Sequence, residues 1–390
     1  MRVLISGGGI AGLTLAYWLH QYGIPSVVIE QAKSIRRDGY GIDFFGTGYD
    51  VAERMGLIER LRSQQVPYDY AAYVNESGEL ITKLDVAMVD KFTDGRYMGL
   101  MHATLEEVLY EALEGRVEVR FGRSLTAIEQ GPDQVSVTFN DGTTESFDLL
   151  IGADGVHSMT RTLIFGPEKQ FSRFLGCTVA CYGLADRYGI GHAWKMYVEP
   201  RRMVGAYCGD REGEIFPVFI YQTDRVEHLP REQRLPRLRE VFAGMGWITQ
   251  QLLSDVPDTE AIFMDAVTQI QMPTWHSGRV ALVGDACGCP TLMSGQGACL
   301  AMGGAYILAE ELHETANYQD AFRRYEQRMR PHVEKQQKSG RGFAKWFVPG
   351  SELILNVQMV MMQVLMQRAF IGLLGRRLFG TENILQERRP

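Results

Sequence analysis

The sequence predicts a mixed α/β (α+β) chain: a Rossmann-like parallel sheet interleaved with an antiparallel sheet and closed by carboxyl-terminal helices. Three segments carry that expectation. Near the start, Arg2 to Ser6 reads as a short buried strand and runs straight into Gly7-Gly8-Gly9-Ile10-Ala11-Gly12. In the middle, the apolar run Leu149-Leu150-Ile151 ends on Gly152-Ala153-Asp154-Gly155. Further on, Val280-Ala281-Leu282-Val283 ends on Gly284-Asp285. Each is an apolar strand that stops at glycine, and the second and third add a carboxylate. Open α/β sheets bind ligands at such strand ends.

The first segment is Gly-x-Gly-x-x-Gly with the flanks that give the motif meaning. A strand precedes it, and Leu13 to Tyr22 follows with apolar residues at helical spacing. A second strand, Ser26 to Ile29, then ends on Glu30. That context separates a dinucleotide fingerprint from a plain turn. Gly7 suits the tight turn, Gly9 lets backbone approach a pyrophosphate, and Gly12 lets helix pack on strand. The helix start offers free N–H groups and a positive dipole end to phosphates. Glu30 is placed to accept hydrogen bonds from a ribose diol.

Composition narrows the class. A chain of 390 residues buries a large core and suits two interleaved units. The net charge of −7 argues against a nucleic-acid partner. The first strand begins at residue 2, so no cleaved leader is expected. Six cysteines in so long a chain are expected as free thiols of a reducing cytoplasm. Cys287 and Cys289 lie too close for a zinc ribbon and read as packing thiols, so no metal is expected.

After Glu30, residues Arg36 to Phe44 form a glycine-rich stretch that reads either as a surface turn or as a lid over a bound cofactor. Gly48 to Gln64 reads as helix. Ala71 to Val74 and Leu80-Ile81, joined by Asn75-Glu76-Ser77-Gly78, read as a hairpin leaving the nucleotide unit. Met101 to Leu113 returns to helix, and Val117 to Asp148 to strands with a turn at Asn140-Asp141-Gly142. From Phe171 to Met264 the chain turns strand-like and aromatic, as an antiparallel sheet with a helix over Leu235 to Met245. Tyr182, Trp194, Tyr207 and Phe219 are candidates to line a substrate pocket there, with core packing as the alternative for each. After Gly284-Asp285, Ser294-Gly295-Gln296-Gly297 leads into a long apolar helix, Ala298 to Leu312. A helix opening there presents unpaired N–H groups and a positive dipole to whatever sits in front of it, which for a reduced flavin would be the N1–C2=O edge. Ala321 to Lys338 is a charged helix, Val348-Pro349-Gly350 a break, and Glu352 to Leu374 a Met-rich helix. Asn356, Gln358, Gln363 and Gln367 interrupt that last helix, so it is expected to pack across the units rather than span a bilayer. Arg368, Arg376 and Arg377 make membrane-surface contact the alternative.

The domain boundaries expected from this pass are 1–69, 98–166 and 276–320 for the nucleotide unit, and 70–97 and 167–275 for the substrate unit. Residues 321–390 supply helices that bridge them.

Taken together, the glycine fingerprint, Asp154-Gly155 and Gly284-Asp285 resemble the single-component (group A) FAD-dependent aromatic hydroxylases. That family includes para-hydroxybenzoate hydroxylase and the tetracycline-inactivating monooxygenases. The resemblance implies one FAD held by Gly7, Gly9, Gly12, Glu30, Arg36, His102, Gly284, Asp285 and Gly297. It implies Asp154 and Gly155 serving both FAD and the nicotinamide. It also implies that NADPH or NADH reduces the flavin, O2 adds at C4a, and the hydroperoxide hydroxylates an electron-rich ring. The backbone of Gly295, Gln296 and Gly297 is the candidate for stabilising flavin charge. His102 and His192 are the candidate bases, each with a structural alternative.

Several positions depart from that pattern. Gln31 follows Glu30 where arginine is usual, and His102 stands where an arginine is expected. Gly288 replaces a histidine, Leu292 a substrate-facing proline, and Gly304 an aspartate. The partners expected are O2 and an aromatic or polycyclic small molecule, with the chain a monomer or weak homodimer in the cytoplasm. Two other readings stand beside the monooxygenase. One is a flavin reductase or halogenase on a related fold, although no Trp-x-Trp-x-Ile-Pro stretch occurs. The other is a flavin-containing binding protein without turnover, motivated by positions 288, 292 and 304.

Overall fold

The computed structural model describes residues 1–35, 40–291, 295–365 and 384–385. Arg36 and Leu292 lie outside the described residues, as do Met366 and the arginines that follow it.

The chain begins with β1 (Val3–Ser6), α1 (Ile10–Gln21) and β2 (Ser26–Glu30). Next come β3 (Gly41–Phe44), α2 (Thr47–Arg54) and α3 (Ile58–Ser63), two helices where one was expected, because the chain turns at Gly56. The hairpin β4 (Tyr70–Val74) and β5 (Leu80–Asp85) is followed by α4 (Val86–Phe92), a short helix with no clear sequence signal. β6 (Met98–Met101) and α5 (His102–Leu113) precede β7 (Glu118–Phe121), β8 (Leu125–Gln130), β9 (Val135–Phe139), β10 (Thr144–Phe147) and β11 (Leu149–Gly152). Helix α6 (Met159–Phe165) leads to β12 (Ser172–Cys181), β13 (Leu184–Ala185), β14 (Ala193–Glu199), β15 (Arg202–Cys208) and β16 (Glu214–Gln222). Then come α7 (Arg231–Val241), α8 (Thr249–Ser254), β17 (Phe263–Ile270), β18 (His276–Ser277), β19 (Val280–Leu282) and α9 (Asp285–Gly288). The chain closes with α10 (Gly297–Glu314), α11 (Tyr318–Phe347) and α12 (Glu352–Leu365).

Two sheets organise the core. The first has the order β18-β19-β11-β1-β2-β7, parallel throughout except for the β18 edge. Its central strands β1 and β11 are buried along their whole length, as a parallel strand covered on both faces must be. This topology sets the ends of β1, β11 and β19 side by side. The second sheet runs β17-β12-β16-β15-β14-β4-β5, with β13 on β16, and is antiparallel apart from β4 beside β14.

The second sheet has two buried faces. One packs under α7 and α8 around Leu235, Leu238, Phe242 and Leu252. The other carries Val179, Cys181, Trp194, Tyr207, Phe216 and Val218. Tyr182 and Phe219 belong to the α7–α8 face, stacked on each other with centroids 5.9 Å apart. This corrects their reading as pocket residues: side chains alternate along a strand, and Phe219 points opposite to Val218 and Ile220. α12 lays Leu355, Met359 and Met362 on the second sheet, while Leu353, Ile354 and Val360 face outward. Among the described residues, no helix is long and apolar enough to cross a membrane.

Candidate functional site

The turn after β1 is shaped by contacts that only glycine allows. Gly7 has φ +117°, and a Cβ there would lie 2.4 Å from the Ala153 carbonyl oxygen at the end of β11. A Cβ on Gly12 would lie 1.9 Å from the Gly7 oxygen, so α1 seats directly on the turn. Gly9 caps α1 with no side-chain hydrogen bond, which leaves the first-turn N–H groups facing outward. Glu30 sits beside them. One of its carboxylate oxygens accepts from the Gly8 N–H at 2.9 Å and the other from the Ala32 N–H at 2.8 Å. A carboxylate has about four acceptor sites, so two remain for a diol.

The Gly152–Gly155 segment behaves differently from expectation. Asp154 accepts from Ser158 Oγ at 2.5 Å, and from the Thr160 N–H and hydroxyl, both at 2.8 Å. Its carboxylate is therefore turned inward to fold the turn into α6, and only the backbone of this segment faces the β1 turn. Ser158 in turn caps α6 by accepting from the Arg161 N–H at 2.9 Å. Arg161 is fully buried and donates to the carbonyls of Ala286 and Val156 and to Glu168. It ties the second strand end to the third. Glu168 also faces His157, whose other ring nitrogen meets Asp265 on β17 at 3.2 Å.

At the third strand end, a Cβ on Gly284 would lie 2.9 Å from the Ala11 side chain, which brings Asp285 up against the start of α1. Burial pushes the Asp285 carboxyl up from its ordinary value, and nearby His102 opposes the shift. His102 opens α5, 3.7 Å from Glu106, whose oxygen approaches within 3.2 Å of where a Gly9 Cβ would be. Burial pulls the His102 imidazole down to about 4, with Asp285 acting the other way. Neutral His102 is thus packed into the wall beside the glycine turn. Gly295 takes φ +64°, open only to glycine at low cost, and Gln296 caps α10 without a side-chain bond. Neither N-cap residue, Gln296 of α10 or Gly9 of α1, closes its helix start with a side-chain cap.

β3 and β6 pass between these strand ends and the second sheet. Tyr207 accepts from the Gly41 N–H at 2.7 Å and stacks on Trp194 and Phe216, with centroids at 5.3 and 5.7 Å. Trp194 and Tyr207 therefore face the nucleotide side. His192, by contrast, is 60 % exposed and lies 3.9 Å from Asp69 at the surface, outside this space. Asp43 on β3 points into the space, and Tyr97 donates to it at 2.7 Å. Neither Asp43 nor Tyr97 was singled out from the sequence. The available signal was a single acid inside the apolar strand Gly-Ile-Asp-Phe.

The glycine-lined β1 turn, the α1 start and the acceptor Glu30 match what a dinucleotide asks of its cradle. Comparison with known proteins decides the matter. Residues 1–338 match the family described as FAD binding domain. The chain belongs to this family of FAD-dependent monooxygenases. It is 32 % identical over 357 residues to a flavin-dependent monooxygenase of Legionella longbeachae, covering 90 % of this chain and 91 % of that one. It is 30 % identical to the FAD-dependent monooxygenase asL6 of Sarocladium schorii, covering 85 % of each. Among solved structures, tetracycline destructase Tet(51) superposes with a TM-score of 0.81 at 27 % identity, covering 95 % of this chain and 97 % of its own. Klebsiella pneumoniae HpxO, complexed with FAD and uric acid, does so with 0.81 at 26 %, covering 99 % and 97 %.

Within this monooxygenase, two of the unusual glycines are explained by α11. A Cβ on Gly288 would meet the Val333 side chain at 2.7 Å, and one on Gly304 lies 3.6 Å from Met329 and Tyr325. Side chains of α11 occupy the space that larger residues at 288 and 304 would fill. Cys287 and Cys289 are buried free thiols here, packed in the same core.

Proposed function

We propose that this monooxygenase takes electrons from NADPH or NADH and inserts one atom of O2 into an aromatic or polycyclic small molecule. The observation that carries the reading is the facing of two unlike walls. On one side stand the starts of α1 and α10, whose N-cap residues supply no side-chain cap, and on the other the stacked Trp194, Tyr207 and Phe216, with Tyr207 bonded to the Gly41 N–H of β3. FAD, when bound, supplies the electron transfer and oxygen chemistry.

The chain's own residues do the rest. The N–H groups of Gly9 to Gly12 and the α1 dipole hold the pyrophosphate, and Glu30 accepts from the ribose. Asp285 and neutral His102 flank the connecting chain. The backbone of Gly295, Gln296 and Gly297 stabilises negative charge on the ring, aided by the α10 dipole. Trp194 and Tyr207 hold a flat substrate and keep water from the reacting centre. One similar structure is a tetracycline destructase and another is complexed with uric acid; both small molecules are polycyclic or heteroaromatic, which supports a flat ring system here. A reducing cytoplasm and a monomeric or weakly dimeric chain fit the same reading.

The test is a screen of phenolic and polyketide-like compounds for those that accelerate both NADPH oxidation and O2 uptake by the yellow, FAD-loaded protein. Rapid flavin reduction with no compound ever coupled to oxygen uptake would leave the monooxygenase reading of its substrate without support.

A further inference from the structure

Thr291 has a backbone conformation that its side chain disfavours. Asp94, Arg201 and Trp247 take left-handed φ values between 54 and 68°, whereas Thr291 takes φ +145°. For a β-branched residue that is a true outlier. Thr291 is buried at the end of the link Cys289-Pro290-Thr291, which leaves α9 in the direction of α10. Strain of this kind persists only where the surroundings hold it, and it collects at working sites.

Two buried glutamines do the holding. Gln269 on β17 donates from its side-chain amide to the Pro290 carbonyl and to the Gln337 carbonyl, both at 2.7 Å. Gln337 on α11 returns the contact, donating to the Ile270 carbonyl at 2.7 Å and the Cys289 carbonyl at 3.2 Å. Each amide thus bonds the main chain beside or at the other glutamine and one residue of the link. The Gln269 oxygen is satisfied as well, by Arg341 and Gln271, both at 3.3 Å. Amides buried this deeply are costly unless fully bonded, and a complete network fixes one arrangement. On α11, a Cβ at Gly340 would lie 2.6 Å from Thr291 Cγ2, so the helix closes directly on the strained residue.

The clamped link touches the candidate flavin cradle at two points. The Cys289 side chain hydrogen-bonds Asp285. Pro290 borders a small cavity together with Asp285 and with Gly297, Leu300 and Ala301 of the first turns of α10.

We propose that Gln269 and Gln337 are positioning residues for the flavin: their crossed amides clamp Cys289 to Thr291 and thereby set Asp285 and the α10 start against the ring. The inference rests on the reading above in which the α10 start stabilises negative charge on that ring. A helix end acts only over its last turn, so a small displacement of α10 weakens its effect on the ring. The reduced, negatively charged ring loses more than the oxidised one. The clamp therefore acts on the reduction equilibrium of bound FAD more than on the binding of oxidised FAD.

The test measures the two-electron potential of bound FAD by equilibration with reference dyes, with FAD affinity and Tm taken on the same samples. Wild type is expected to lie above free FAD. Gln337→Met and Gln269→Met keep the side-chain length and lose the amide. In each the reduction equilibrium should fall about tenfold, about 30 mV for two electrons, while affinity for oxidised FAD changes less. If neither variant holds FAD, Gly340→Ala decides: it leaves both amides in place, pushes a methyl onto Thr291, and should lower the potential in the same direction. A role confined to the fold would lower Tm and leave the potential of the loaded protein unchanged. That result, with wild type above free FAD, overturns the inference alone. A wild-type potential no higher than that of free FAD removes the charge stabilisation read at α10 and this inference with it.

Discussion

Replacing Arg161 with methionine probes how the three strand ends are held together. The guanidinium has no solvent exposure, and it donates to Ala286 O at 3.1 Å, Val156 O at 2.6 Å and Glu168 at 3.1 Å. Methionine fills much of the volume but satisfies none of these acceptors. Two carbonyls then lose a charged donor, and among the described residues the charged partner left to Glu168 is His157, whose side chain is 61 % exposed. Taking the donor from two carbonyls costs about 1–3 kcal/mol each, and the partly exposed Glu168 adds little once water screens it, so the total is about 3–5 kcal/mol. For a chain of 390 residues that corresponds to a fall in Tm of about 4–6 °C. Because Ala286 follows Asp285, FAD affinity should weaken in parallel. Arg161→Lys keeps the charge but not the fork and should fall between the two. Thermal unfolding of the apoprotein, followed by circular dichroism, reads the first effect, and quenching of flavin fluorescence the second. A variant that melts within 2 °C of wild type would show that Arg161 is a passenger and refute the argument.

Three other outcomes are expected. The hydrogen bond to Asp265, with help from Glu168 and against burial, raises His157 from 6.5 to about 9. The folded state thus holds this proton more tightly, so the contribution is complete below about pH 6.5 and disappears as pH climbs through 9. With the ring largely exposed it amounts to about 1 kcal/mol or less, and Tm measured from pH 6 to 10 should fall less in His157→Gln than in wild type. Glu30→Gln, which swaps an acceptor for a donor beside the Gly8 N–H, should weaken FAD binding about tenfold; unchanged affinity by fluorescence titration would contradict the role given to it. Gly12→Ala puts a methyl 1.9 Å from the Gly7 oxygen, so α1 must lift from the turn. FAD affinity should drop tenfold or more, as overpacking costs about 1–3 kcal/mol, and a yellow protein of normal affinity would argue against the packing described.

What the sequence determined by itself is local. Gly12 announced the seat of the helix because its constraint, the Gly7 oxygen, lies within the same turn, whereas the contact that holds Gly7 to glycine comes from Ala153 on the neighbouring strand end. The three apolar strands ending in glycine announced a parallel sheet because burial on both faces leaves continuous apolar runs. The family followed from the same three segments. Tertiary structure decided everything that depends on which way a side chain points and what stands opposite. Trp194 and Tyr207 face the nucleotide side while Tyr182 and Phe219 face α7 and α8. All four sit in or directly beside equally apolar strands, and only the register and the covering helices tell them apart. Asp154 looked like a ligand for a cofactor until Ser158 and Thr160 claimed its oxygens. Asp43 looked like part of a loop until β3 paired with β6 and turned it toward Gly295, some 250 residues away. Distances of that kind are set by packing between elements remote in the chain, and a linear pattern of residue types does not contain them.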